Sequence, residues 1–434
     1  MTDQKTFFRY VLPSVLAFAL SGVYAIVDGF FVGNYVGDVG LSAVNIAYPI
    51  VAVIQAIGTG IGMGGAIYYT INQAENNEDK AKMFTAGALW TLLISSIILT
   101  LSIFLLNSVI LEMLGAREEL LSIGKEYIAV IALGAGLQVI GTGLIPFIRN
   151  YGGSFYAMIC MIAGFVTNII LDYLFVWILA QGARGAALAT VISQGVTMIL
   201  ALIYMLRKKQ FTLQIPLTKL AAVSASIIKV GIAPFGLAMA PNISLIIINR
   251  FSISYGGEQA VATYACIAYI ICIIYLILQG VGDGSQPLLS RHYGEKDFTA
   301  LKNTRKFAYG FALLLSVLGC IVMYLMRENL GILFGASAAV NAEIVKIIPI
   351  FLVSVPFVAI VRVTTASFYA TEKTAFSYIL TFIEPTFMLL LMLLLPPLFG
   401  GQIMIWWSTV LARILSAILA LLLKLRVDKQ EIAA

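Results

Sequence analysis

Four oxygen-bearing residues lie in apolar stretches of the chain: Asp28, Asn168, Asp172 and Thr190. Asp172 is the only charged residue between Asn150 and Arg184. A run of this length can cross a bilayer, since a spanning helix takes about 20 residues. An ionised carboxylate at that depth costs roughly 2.5 kcal/mol or more. Asp172 is therefore a candidate functional residue, and Asn168, one helical turn earlier, projects from the same face.

These residues are expected at similar depths in the membrane. Asp28 precedes the next polar loop, near Asp38, by about ten residues, and Asp172 precedes the loop near Gln181 by about eight. Thr190 follows that second loop by about seven residues. With a rise of about 1.5 Å per residue, all lie roughly 10–15 Å below the outer surface. Carboxylate, amide and hydroxyl oxygens are the ligands that hard cations prefer.

A purely structural role must be weighed for each residue. Asn168 and Thr190 could simply hydrogen-bond neighbouring helices. A structural Asp would need a basic partner, and the nearest basic residue in this half is Arg184, which belongs to a loop. Without such a partner, two neighbouring acids either share a proton or hold a cation such as Na⁺. Both outcomes predict an ion-coupling site.

The elements that carry these residues are predicted to be membrane-spanning helices. The composition is 61% hydrophobic and 11% charged, whereas soluble domains carry about 25% charged residues. Long apolar segments recur throughout, which predicts an all-α polytopic membrane protein with twelve transmembrane helices. Their approximate spans are 8–36, 43–72, 85–110, 121–148, 154–180, 184–206, 222–254, 259–290, 304–326, 340–370, 374–398 and 402–424.

The basic residues predict the orientation of these helices. If both termini are cytoplasmic, 19 of the 27 Lys and Arg residues fall on the cytoplasmic side and five on the other. This distribution follows the positive-inside rule, so we expect a multi-pass plasma-membrane protein with both ends inside. The net charge of +6 is spread over short loops and does not indicate nucleic-acid binding. We expect a monomer in the lipid bilayer.

A weak internal repeat divides the chain into two halves. Pro13 and Pro234 are 221 residues apart, as are Tyr48 and Tyr269. The polar segment 207–221 falls near the midpoint, so we predict an N-terminal six-helix bundle at 1–206, a cytoplasmic linker, and a C-terminal six-helix bundle at 222–434. Internal repeats are common in transporters, and the substrate would bind between the bundles.

Charged residues in the second half are distributed differently. Arg362, Glu384 and Arg413 lie at similar depths in the predicted helices 10, 11 and 12. They could form a polar cluster that either holds the bundle together or contacts substrate. Arg250 and Asp283 are placed near helix ends, where charged side chains can reach water.

Several other chemistries are not supported by the sequence. The only histidine, His292, lies in a predicted cytoplasmic loop, which excludes histidine chemistry inside the membrane. The four cysteines have no zinc-site spacing, and the glycines of segment 57–65 favour close helix packing. The sequence contains no nucleophile–base pair at membrane depth that would indicate an enzyme. No cofactor other than a coupling ion, H⁺ or Na⁺, is expected.

The chain resembles the multidrug and toxic compound extrusion (MATE) transporters of prokaryotic type over nearly its full length. The resemblance rests on Pro13 with the segment 27–33 (VDGFFVG), on 168–172 (NIILD), on 185–190 (GAALAT), and on the two six-helix halves. It implies a V-shaped pair of bundles and antiport of an organic compound against H⁺ or Na⁺. The family's cation site matches Asp28, Asn168, Asp172 and Thr190, and Pro13 matches a proline linked to bending of the first helix.

The resemblance does not extend to every family site. One branch also uses acids in helices 7 and 10, where this chain has Asn242 and Val358. The function expected from the resemblance is export of amphipathic or cationic organic compounds by alternating access. The alternative is a flippase for lipid-linked precursors, which would need a strongly cationic cleft, and only Arg362 and Arg413 are available for one.

Overall fold

A computed structural model describes residues 4–35, 37–209, 211–333 and 337–433, with side chains described in these ranges except at 29–30, 32–39, 41, 332–333 and 432–433. All regular elements in this part of the chain are helices. Their bounds are α1 Gln4–Tyr35, α2 Gly37–Ala74, α3 Glu78–Met113, α4 Glu118–Asn150, α5 Ser154–Asp172, a π-helix Tyr173–Ile178, α6 Gly182–Arg207, α7 Leu217–Gly294, α8 Phe298–Met326, α9 Leu330–Leu333, α10 Ala338–Ala370, α11 Thr374–Phe399 and α12 Ile403–Ala433.

Among the described residues, ten helices are long and apolar enough to cross a membrane. This confirms the prediction of an all-α polytopic membrane protein. Element α7 is counted once although it is interrupted at Gly257, which has φ 67° and ψ −163°. Only glycine adopts such a conformation readily, and the interruption falls between the two spans predicted at 222–254 and 259–290. The count of twelve transmembrane helices stays a prediction.

The internal repeat is visible in the turns between helices. Helices α3 and α8 begin after Asn77 and Asp297, whose side chains accept hydrogen bonds from the backbone N–H groups of Lys80 and Ala300. These caps are 220 residues apart and satisfy N–H groups that the helix cannot. The residues before them, Asn76 and Lys296, both have positive φ values, of 59° and 56°. The same turn therefore precedes the third helix of each half.

Contacts group the chain into two compact units. We call residues 20–239 the first unit, and residues 1–19 together with 240–434 the second unit. The division falls inside α1 and α7, not at the predicted linker 207–221, so each of these helices contributes to both units. The predicted boundaries of the two bundles therefore stay a prediction. Residues 208–216 form a non-helical connection between α6 and α7, apart from residue 210, which lies outside the described residues.

In the first unit, α4 is the central helix and packs against α2, α3 and α6. The glycines of segment 57–65 allow a close approach: a Cβ added to Gly62 would meet the backbone of Gly143 in α4, and one added to Gly58 would meet the backbone of Val139. Small residues at such crossings let two helix backbones pack directly. The close-packing interpretation of this segment is confirmed.

In the second unit, α10 holds the corresponding central position and packs against α8, α11 and α12. An aromatic group stabilises the unit: Trp406 of α12 stacks on Tyr264 of α7 with ring centroids 5.8 Å apart, and Phe351 of α10 lies 5.6 Å from Trp406. All three side chains are buried. Large aromatic side chains contribute much of the contact area in such cores.

Candidate cation-binding site

The buried face of α5 carries two of the predicted site residues. Its buried side chains are separated by three or four residues, which places them on one helical stripe, namely Ser154, Ala157, Cys160, Gly164, Asn168 and Asp172. Asn168 is 1% exposed and Asp172 is 0% exposed. The polar pair therefore continues a row of small residues into the interior of the first unit.

The Asn168 side-chain amide connects the other members of the site. With its nitrogen directed toward Asp172, the amide donates to Oδ2 of Asp172 at 2.8 Å and to the hydroxyl of Tyr24 at 3.1 Å. In the same orientation its oxygen accepts from the backbone N–H of Thr190 at 3.2 Å. The nitrogen and the oxygen of a side-chain amide are assigned from the hydrogen bonds that they make. Only this orientation satisfies both the nitrogen and the oxygen of Asn168. Asn168 thus links α1, α5 and α6.

Asp28 of α1 completes the carboxylate pair. It is half-buried, and its carboxyl group lies within hydrogen-bonding reach of the carboxyl group of Asp172. A hydrogen bond between two carboxyl groups needs a proton on one of them, because ionised carboxylates only accept. The two acids predicted to share a depth are therefore neighbours in the first unit.

The electrostatic environment of this pair is unusual. Among the described side chains, no Lys or Arg forms an ion pair with Asp28 or Asp172. Arg184, the basic residue nearest to Asp172 in the sequence, is exposed. Oδ1 of Asp172 is buried and has no hydrogen-bond partner among these residues. A buried acceptor without a partner is costly, so this atom is suited to bind a proton or a small cation.

Thr190 joins the network through its backbone, and its role as a ligand stays a prediction. Its hydroxyl donates to the backbone carbonyl of Ala186 at 3.0 Å, while its backbone N–H reaches Asn168. The hydroxyl oxygen can still accept or coordinate. The described residues include no group of three or more His, Cys, Asp or Glu side chains suited to a metal. A cation here would be held chiefly by the two carboxylates, because in this orientation the amide oxygen of Asn168 accepts from the N–H of Thr190 and the amide nitrogen faces Asp172.

Two tyrosines near the acids were not identified as site residues from the sequence. Tyr24 hydrogen-bonds to Asn168, and its ring stacks on Phe165 at 5.0 Å between centroids. Tyr127 of α4 is 6% exposed and lies within electrostatic range of both Asp28 and Asp172. Tyr127 is about nine residues into its helix, roughly 13 Å from the end. Its depth, counted along the helix as for the acids, could have identified this phenol from the sequence.

The helix that carries Asp172 changes form immediately after this residue. Residues Tyr173–Ile178 form a π-helix, in which the N–H of Leu179 bonds to the carbonyl of Leu174. Such widened turns are rare and occur frequently at functional sites. The apolar sequence of this segment contains no signal for it. The π-helix ends at Ile178, and Ala180, two residues later, has a positive φ of 49°.

The positions of the second unit that correspond to Asn168 and Asp172 are apolar. The turns at 151–153 and 371–373, which precede α5 and α11, correspond at an offset of 220 residues. At that offset, Asn168 and Asp172 correspond to Met388 and Met392, which are both 0% exposed. The positions considered for a second-half cation site, Asn242 and Val358, carry no charge.

The described contacts divide the predicted cluster of Arg362, Glu384 and Arg413 into two arrangements. Nε of Arg413 lies 3.1 Å from Glu384, and Nη1 of Arg413 donates to Ser354 at 3.1 Å. Arg362 forms no ion pair with Glu384 and instead donates to the side chain of Gln279 at 3.1 Å. Helix rotation decides which residues at one depth meet, and depth alone does not specify it.

Two further placements from the sequence concern Asp283 and Pro13. Asp283 was placed near a helix end facing water, which is wrong: it is 4% exposed and accepts from Gln279 at 2.7 Å and from Tyr369 at 2.9 Å. Because its carboxylate accepts hydrogen bonds from these two donors, Asp283 does not need to reach water. Pro13 is buried within α1, which continues through it from Gln4 to Tyr35. Its role in bending stays a prediction.

Comparison with known proteins agrees with this architecture. The multidrug export protein MepA of Staphylococcus saprophyticus is 26% identical over 437 residues, covering 99% of this chain and 96% of the relative. MepA of Staphylococcus haemolyticus is 24% identical over 436 residues, with coverage of 99% and 96%.

Solved structures show the same fold. A MOP superfamily transporter from Pyrococcus furiosus, for which a binding pocket of reverse polarity is described, superposes with a TM-score of 0.91 at 22% identity, covering 98% of this chain and 96% of that one. A multidrug resistance MATE family transporter in an outward-facing conformation gives a TM-score of 0.90 at 22% identity, with coverage of 99% and 96%.

The family model described as MatE matches the chain twice, at residues 13–174 and at residues 234–395. The two matches cover more than half of the chain and coincide with the two halves of the internal repeat. The chain belongs to the MatE family, the multidrug and toxic compound extrusion transporters, and is a multi-pass membrane transporter, not an enzyme.

Proposed function

We propose that this protein is a secondary antiporter that exports amphipathic or cationic organic compounds in exchange for H⁺ or Na⁺. The observation that carries the proposal is that the carboxyl groups of Asp28 and Asp172 lie within hydrogen-bonding reach of each other and form no ion pair with a described Lys or Arg. The multidrug export function of the MepA relatives supports the substrate class.

The pair of acids can couple two binding events. A coupling ion or proton neutralises charge at the pair, and loss of that ion restores it. A cationic substrate that draws on the same negative charge binds more weakly when the ion is present. Coupling of this kind is reciprocal, so the inward-moving ion promotes release of substrate outside, and the substrate promotes release of the ion inside. Each transport step then needs only one occupant at a time.

We further propose that both termini are cytoplasmic and that the protein acts as a monomer in the plasma membrane. The excess of Lys and Arg in one set of loops, 19 of 27 residues, supports this orientation. Protease digestion of a C-terminal tag in right-side-out vesicles tests it. A tag that is cleaved without permeabilising the vesicles would contradict the orientation.

The lipid-precursor flippase is less well supported. It would need several basic side chains free to bind pyrophosphate. Arg413 is 4% exposed and paired with Glu384, which leaves Arg362 as the only other candidate considered from the sequence. One guanidinium group is a weak site for a doubly phosphorylated headgroup.

Dye efflux from proteoliposomes tests the antiport proposal. Ethidium movement is driven separately by a pH gradient and by a sodium gradient. Asp28→Asn and Asp172→Asn should each abolish gradient-driven movement, because neither variant can exchange charge at the pair. Asp79→Asn is the matched control, since Asp79 is an exposed acid of α3. Full efflux by both site variants, with thermal unfolding unchanged, would refute the assignment.

A further inference from the structure

Arg362 is a positive charge in the interior of a helix of the second unit. It lies eight residues before the end of α10, which ends at Ala370, or about 12 Å along the helix axis. The helix is apolar and long enough to span a membrane. Charged residues at such depth are costly and usually functional. Arg362 is half-buried, so the residue is not sealed in the interior of the unit.

The contacts of Arg362 leave most of its hydrogen-bonding capacity unused. Nη1 donates to the side-chain oxygen of Gln279 at 3.1 Å, and no ion pair with a described acid is formed. A guanidinium group has five N–H donors arranged in a plane. The nearest carboxylate in this network is that of Asp283, which is reached only through Gln279.

Gln279 is held in one orientation by its neighbours. Its side-chain nitrogen donates to Oδ1 of Asp283 at 2.7 Å, and the same oxygen accepts from the hydroxyl of Tyr369 at 2.9 Å. Because the nitrogen is fixed on Asp283, the amide oxygen must face Arg362. This chain of hydrogen bonds positions the guanidinium group without neutralising its charge directly.

The other buried arginines of the second unit differ from Arg362. Arg413 has an ion pair with Glu384, a hydrogen bond to Ser354, and a ring contact with Tyr275 at 5.0 Å. Arg305 bonds to Glu431, Asp428 and Ser367. Arginines that serve structure in this unit are thus fully paired, and Arg362 is left with a single neutral partner among the described residues.

The surface beside Gln279 is suited to an organic body. Cys272 lies seven residues before Gln279 on α7, which places both on one helical face, and Tyr269 lies about one turn before Cys272. Tyr269 and Cys272 are exposed, and Tyr269 has 52% of its surface accessible. Exposed aromatic and apolar side chains on the helix that carries Gln279 suit a ligand with an apolar part and one anionic group.

We propose that Arg362, positioned by Gln279, is a binding site for the carboxylate group of organic anions or zwitterions. A planar carboxylate can accept two parallel N–H bonds from a guanidinium group. The proposal deepens the proposed export function by adding a substrate class, and it rests on that function only in assuming that the bound compound is transported. Binding itself can be measured without transport.

The test uses two probes that differ in one group, dansylglycine and its uncharged amide, titrated into the purified protein by fluorescence. The native protein should bind the carboxylate at least tenfold more tightly than the amide. Arg362→Gln should remove that preference, and Arg362→Lys should retain part of it, since lysine keeps the charge but not the planar fork. Arg250→Gln is the control, because Arg250 is an exposed arginine of the same unit.

A second variant guards against misfolding of Arg362→Gln. Gln279→Glu keeps the arginine and places a carboxylate against it, so this internal anion should compete with the probe and remove the preference. Thermal unfolding and ethidium binding report whether each variant is folded. The proposal is overturned if the native protein shows no preference or if the preference survives in Gln279→Glu. Failure of ion-driven ethidium efflux would instead count against antiport and leave these binding results unaffected.

Discussion

The carboxyl group of Asp28 lies within hydrogen-bonding reach of the carboxyl group of Asp172. The two residues come from α1 and α5 and are separated by 144 positions in the sequence. Like charges this close are unfavourable unless a proton or a cation lies with them. The site is therefore expected to bind its ion only while both acids and their hydrogen-bonding neighbours are in place.

Replacing Asn168 with Leu should weaken ion coupling. The variant removes the donor to Oδ2 of Asp172, and a hydrogen bond to a charged group contributes about 1.5–3 kcal/mol. We expect gradient-driven efflux to fall about tenfold or more at a fixed gradient. The control is Asn45→Leu, which changes an exposed residue of α2. Equal efflux by the two variants would show that Asn168 has no part in coupling.

The hydroxyl and the ring of Tyr24 should contribute separately. Tyr24→Phe removes the hydrogen bond to Asn168 but keeps the stack on Phe165, so a loss of severalfold in efflux is expected, since a neutral hydrogen bond contributes about 1 kcal/mol. Tyr24→Ala should lose more, because the ring contact is also removed. Tyr156→Phe is the control, since its hydroxyl bonds only to the carbonyl of Leu200 in the described contacts. A larger loss in the Phe variant than in the Ala variant would contradict this division.

Breaking the ion pair between Arg413 and Glu384 should destabilise the second unit. Removing one partner of a buried pair costs about 3–5 kcal/mol, so Arg413→Met should lower the thermal unfolding midpoint clearly. The double variant Arg413→Met/Glu384→Leu should lose less than Arg413→Met alone, because no unpaired charge remains. The exposed pair Lys82 and Glu78, with side chains 60% and 66% accessible, serves as the control. Breaking this exposed pair should change the free energy of unfolding by about 1 kcal/mol at most.

Two glycine-to-alanine substitutions should have opposite effects on stability. A Cβ at Gly62 would meet the backbone of Gly143, so Gly62→Ala must separate α2 from α4, and overpacking of this kind costs about 1–3 kcal/mol. A Cβ at Gly310 of α8 meets nothing within 4 Å. Gly310→Ala should be neutral or stabilising, because alanine favours helix by about 1 kcal/mol over glycine. Thermal unfolding of both variants checks the prediction, and an unchanged midpoint in Gly62→Ala would count against the close crossing.

Much of the architecture was predictable from the sequence because its signals are local. Hydropathy is a sum over neighbouring residues, so the apolar spans and the break near Gly257 can be read without knowing any contact. The internal repeat can be found by comparing the two halves of the sequence. The matching turns before α3 and α8 depend on a few cap residues in each half. Depth follows from counting along a helix, which is why Asp28, Asn168 and Asp172 could be selected.

Tertiary structure decided which of the residues at one depth meet. Counting gives a position along the membrane normal but not the rotation of each helix or its neighbours. The sequence therefore could not assign Tyr24 and Tyr127 to the acid pair, separate Arg362 from Glu384, or show that Asp283 is buried beneath two donors. The π-helix after Asp172 arises in an apolar segment that carries no local signal for it, so only the folded chain shows where the helix widens.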